Sequence, residues 1–115
     1  MLRTTFSLPL DPRPTSATYT IATDTLAIVF DQPLIDGVYA ATDFLAFVQI
    51  AAVQVRCTQA GDVTVTGDTA TLPMLQGVGG PAPGSWCDYT ATGVPLVGTG
   101  GSYVRPFADV PVTPI

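Results

Sequence analysis

The chain has 115 residues, 47% of them apolar, with a mean hydropathy of +0.41. That length supports a single core, and that apolarity excludes intrinsic disorder. A net charge of −5, a pI near 4.1 and the absence of His, Lys and Glu exclude an imidazole or lysine base, a histidine metal ligand, a P-loop and a phosphate-backbone footprint.

Eleven Gly and eleven Pro, spread without a period, break the chain into short segments, and abundant Thr and Val favour pleated surfaces. The expected class is all-β. The N-terminal run MLRTTFSLPLDPRPTS lacks a continuous apolar stretch and a small-residue cleavage site, so it does not read as a secretory signal. No apolar run approaches the roughly 20 residues of a membrane span. Neither nucleic acid nor membrane is an expected partner.

Residues 1–16 read as an extended N-terminal arm, since Pro9, Pro12 and Pro14 forbid a helix. Arg3, Phe6, Leu8 and Leu10 give the arm apolar reach with one charge. The domain proper is expected over 17–115. ATYTIA (17–22) and TLAIVF (25–30) read as strands, the second placing Leu26, Ile28 and Phe30 on one face. DQPLIDG (31–37) reads as a turn.

ATDFLAFVQIAAVQVRC (41–57) is too long for one strand and is expected to bend near Ala51-Ala52, a helix over 40–52 being the competing reading. In the strand reading Phe44, Ala46, Val48 and Ile50 point inward and Leu45 and Phe47 outward. QAGD (59–62) is a turn, VTVTG (63–67) a strand and Gly67-Asp68 a hairpin signal before TATLPML (69–75). QGVGGPAPGS (76–85) reads as a flexible tip loop. SWCDYTA (85–91) puts Cys87 and Tyr89 on one face and Trp86 and Asp88 on the other; GVPLVGTGGS (93–102) is a loop; and a Pro-interrupted strand closes the chain. About seven short strands at this spacing suggest a β-sandwich.

Read in order, IVFDQPL (28–34), DFLAFV (43–48), GDTATLPM (67–74), CDY (87–89), PLVGTGG (95–101) and FADVPVT (107–113) resemble the motifs of bacterial immunoglobulin-like domains of cell-surface repeat proteins, the SwmB-type group. The resemblance spans about 17–113 and implies an immunoglobulin-like sandwich. In that family such domains serve adhesion. Immunoglobulin-like domains are also recurrent additions to bacteriophage capsids and tails, which suits a short chain with no secretory pattern.

Asp31 invites two readings, an acid working with Asp36 or an Asx-type turn at a strand end; the turn is preferred. Asp24-Thr25 and Asp68-Thr69 lack the following Gly of an aspartic-protease signature and read as turn acids. The scattered aspartates form no calcium loop. GVGGPAPG (77–84) and GTGG (98–101) precede no helix, so they do not read as phosphate cradles. Cys57 and Cys87 are either a disulfide or core thiols. No catalytic, metal or cofactor residue is expected.

Leu45, Phe47 and Trp86, together with Arg3 and Phe6 of the arm, are the candidate interface. The expected function is a non-enzymatic virion structural protein, a capsid decoration or head/tail accessory subunit. It would contact other virion subunits and copies of itself. The alternative is a cell-surface adhesion module for a carbohydrate or protein ligand. A third reading, a small hydrolase using Asp31 and Asp36, stands behind both.

Overall fold

A computed structural model describes residues 11–40, 44–90 and 96–115. Most of the arm, including Arg3 and Phe6, lies outside the described residues, as do 41–43 and 91–95. The described residues are all-β and form one sheet nearly closed into a barrel. The strands are β1 (Pro14–Thr20), β2 (Thr25–Phe30), β3 (Gly37–Tyr39), β4 (Phe44–Ile50), β5 (Val53–Gln59), β6 (Val63–Thr66), β7 (Thr69–Gln76), β8 (Trp86–Tyr89), β9 (Phe107–Pro111) and β10 (Thr113–Pro114).

Ten strands replace the seven expected. β3 hides in a segment that reads as turn and loop, because three residues starting with Gly carry no periodicity. The terminal strand is two, β9 pairing with β8 and β10 with β1, since Val112 turns into the core between them. β1 starts at Pro14, inside the segment read as arm. A register shift between Pro14 and Ser16 lets the ladder with β2 accommodate a residue that has no N–H.

The ladder runs β10-β1-β2-β7-β5-β4-β8-β9, with β6 paired to β7 and β3 to β6. β7 makes the sheet continuous. Its residues 69–73 pair with β2, and Met74–Gln76 pair with Gln59–Cys57 of β5. The core is set by alternation: Leu26, Ile28 and Phe30 of β2 face Ala70, Leu72 and Met74 of β7, all buried. Phe44, Ala46 and Val48 close it from β4. Phe44 stacks on Tyr89 at 4.6 Å between ring centroids, and Phe107 lies 5.5 Å from Tyr89 and 6.4 Å from Phe30.

The β4–β5 hairpin takes the strand reading over the helix, because both faces of this stretch match neighbours at period two. Its tip is Ala51-Ala52, with φ of 50° and 67°. Both residues sit in the left-handed region of a type I′ turn, where alanine is strained by about 1 kcal/mol or more per residue. The double variant Ala51→Asn, Ala52→Gly is expected to stabilise the fold by about 1–2 kcal/mol, read as a higher urea midpoint with unchanged slope.

Candidate functional site

Leu45, Phe47 and Trp86 do share one face. Phe47 on β4 lies between Arg56 of β5 and Trp86 of β8 in the ladder, and Trp86 in turn faces Pro111 of β9. The Phe47 and Trp86 rings are tilted 41° at a centroid distance of 5.1 Å. One row along, Leu45 lies between Thr58 and Asp88, and Thr58 neighbours Leu75, which is 65% exposed. Leu45, Phe47 and Trp86 are each half-buried. The face therefore carries Leu75, Leu45, Phe47, Trp86 and Pro111, with Thr58 between the two leucines and Arg56 and Asp88 at its flanks.

Segment 77–85 bounds this face and is anchored rather than free. Gln54 shares the outward face but is buried, because the segment lies over it. Its Nε2 donates to the Gly84 carbonyl (2.8 Å) and its Oε1 accepts from the Ala82 N–H (3.1 Å). Gln49 Oε1 accepts from the Gly84 N–H (3.0 Å), and the Gln49 N–H donates to Ser85 Oγ (2.8 Å). A Cβ on Gly80 would overlap the Gln54 side chain, so only glycine allows the close approach. The two glutamines carry no sequence signal of this role, since they read as ordinary polar residues of a hairpin.

The aspartates hold backbone. Asp31 Oδ1 accepts from the Arg13 N–H at 3.0 Å, while the Asp31 N–H donates to the Arg13 carbonyl at 2.9 Å. Asp36 Oδ1 accepts instead from the Gly67 N–H at 2.8 Å, so the structure gives the two carboxylates separate partners. Asn can accept the same bond. Asp31→Asn is expected to leave stability within about 0.5 kcal/mol, and Asp31→Ala to lose about 1 kcal/mol, both read by chemical denaturation. A working acid would distinguish Asp from Asn; a turn clamp does not.

Asp24 Oδ1 accepts from the buried Tyr19 hydroxyl (2.9 Å) and from Gln76 Nε2 (2.6 Å). Asp68 accepts from the neighbouring Thr69 hydroxyl. Among the described residues no three Cys or Asp side chains gather where they could hold a metal ion. The 98–101 glycines form a turn in which Gly98 N–H donates to Ser102 O and Gly101 N–H to Gly98 O.

Cys57 and Cys87 are both free and buried. Each is the ladder partner of Ala46 from opposite sides, two strand spacings apart, about 9–10 Å. That exceeds the roughly 7 Å reach of a disulfide, so of the two readings the structure takes core thiols. Burial pushes the Cys87 thiol up to about 12, with the Asp88 carboxylate adding to it. Burial also raises Cys57, with the neighbouring Tyr19 hydroxyl opposing the rise.

These shifts set an alkaline limit. An unfolded thiol ionises near pH 8.5, well before the folded Cys87, so the unfolded state loses its proton first. The contribution is complete below about pH 8.5 and is lost as pH rises toward 12, at about 1.4 kcal/mol per pH unit for that thiol. Urea midpoints are expected to be level from pH 7 to 8 and to fall between pH 9 and 11.

Comparison with known proteins gives no match to any family model, any curated protein or any solved structure.

Proposed function

We propose that the chain is a non-enzymatic accessory subunit of a virus particle, an immunoglobulin-like domain that binds neighbouring shell subunits through the Leu45/Phe47/Trp86 face. One observation carries this reading: a Trp–Phe pair held half-buried in register on an outward sheet face, with Pro111 beside Trp86, Leu45 on the same face of β4 and Arg56 at the far side of Phe47. Aromatic residues on a charge-poor surface are the composition of interface centres. Support for an immunoglobulin-like sandwich lies in the strand order. The order β1-β2-β7-β6 follows the A-B-E-D sheet of that architecture, and β9-β8-β4-β5 follows G-F-C-C′. The β7 bridge to β5 then joins two sheets that the architecture keeps apart. The acidic balance suits the outer side of a particle, away from packaged nucleic acid.

Trp86 is the single tryptophan, so its emission reports the face directly. Adding shells assembled without the chain is expected to shift Trp86 emission to the blue and to protect it from acrylamide. Unchanged emission, or a response confined to glycan ligands on an array, would favour the adhesion-module reading.

A further inference from the structure

Arg13 and Arg105, two of only four arginines, line one cavity of about 380 Å³ together with Asp11, Pro14, Pro106 and Phe107. The cavity lies where the barrel fails to close. β10 bonds β1 only at Thr18 and Tyr19, and among the described residues no ladder joins β9 to the first half of β1. The walls are set by local chemistry. Each arginine precedes a proline, which restricts it to extended backbone, and the two hydrogen bonds with Asp31 fix the Arg13 main chain. The floor is the half-buried Phe107 ring, backed by Phe30 and Tyr89.

Charge selects the ligand. Among the described residues the only ion pair is that of Arg105 Nε with Asp11 Oδ2, and no described carboxylate pairs with the Arg13 guanidinium. Two guanidiniums against one carboxylate give the described lining of the cavity one net positive charge, on a chain whose total is −5. Asp31 is committed to the Arg13 backbone and does not line the cavity. A single excess charge beside an aromatic floor matches a monoanion on an apolar body better than a phosphate, which carries more charge and no apolar part. The volume falls within the roughly 300–1,000 Å³ of small-molecule sites.

We propose that this cavity binds a monocarboxylate carried on a flat apolar group, the carboxylate on Arg13 and Arg105 and the apolar body on Phe107. Guanidinium forks suit such bidentate recognition. The site is independent of the Phe47/Trp86 face, so either can fail alone.

The test is an amide NMR titration of the intact chain with three probes: benzoate, inorganic phosphate and benzyl alcohol. Benzoate is expected to give saturable shifts at Asp11, Arg13, Arg105 and Phe107 with a Kd on the order of 1 mM, at least tenfold tighter than either other probe. Arg13→Gln should weaken benzoate about tenfold while the spectrum elsewhere stays native, and Arg56→Gln, on the outward face, should change nothing. Equal binding of phosphate or benzyl alcohol would overturn the proposal. So would an absence of saturable shifts, or benzoate binding that survives Arg13→Gln.

Discussion

Leu72→Ala is expected to lower stability by about 3–4 kcal/mol, while Leu75→Ala, three residues along the same strand, costs under about 0.5 kcal/mol. Leu72 is 1% exposed and lies opposite the fully buried Leu26, in the ladder that joins β2 to β7. Its truncation removes buried methyl groups and leaves a cavity that the neighbouring strands cannot fill. Leu75 is 65% exposed on the outward face, so its truncation removes little buried surface. A loss of that size is a large fraction of the roughly 5–15 kcal/mol typical of a domain. The two urea midpoints together measure the parity on which the whole fold rests. Comparable losses at both positions would mean that β7 is not half-buried as described.

That parity was legible in the residues themselves. TLAIVF alternates, and its Leu26, Ile28 and Phe30 are core. The bend at Ala51-Ala52 was legible because seventeen apolar-rich residues exceed any ordinary strand, and the structure turns there. Trp86 and Phe47 were legible as outward for the same reason, although their direct pairing was not. Periodicity assigns a face but does not choose the neighbouring strand. The continuous sheet was hidden for that reason too: β7 keeps β2 on one edge while its other edge passes from β6, at Thr69–Thr71, to β5, at Met74–Gln76, without any break in its own pattern. Asp31 read correctly as a corner residue, yet its partner Arg13 lies a full strand hairpin away. The cavity was least legible. Its two walls come from opposite ends of the chain, and its one local trace is the repeated Arg-Pro dipeptide at 13–14 and 105–106.

Phe47→Glu is expected to abolish shell binding, by about 100-fold or more, while costing the fold no more than about 1 kcal/mol. The asymmetry follows from position. Phe47 is half-buried, and its ladder neighbour Arg56 is exposed and able to meet a carboxylate, so the free domain tolerates the charge. In a desolvated interface the same carboxylate would lose its water and face Trp86 and Leu45. Such burial costs several kcal/mol when unpaired. Loss of binding with a native urea midpoint locates the effect on the face. Parallel loss of both would reduce Phe47 to a packing residue, and retained binding would move the interface elsewhere.

The central claim, that the chain works as a stoichiometric part of an assembled particle, is tested most directly by its copy number in particles purified on a density gradient. The account predicts that the chain sediments with the particles at a fixed number per particle, and that Phe47→Glu chain remains at the top of the gradient. A chain absent from the particle fractions, or present at a level that varies with its input and is indifferent to Phe47→Glu, would contradict it.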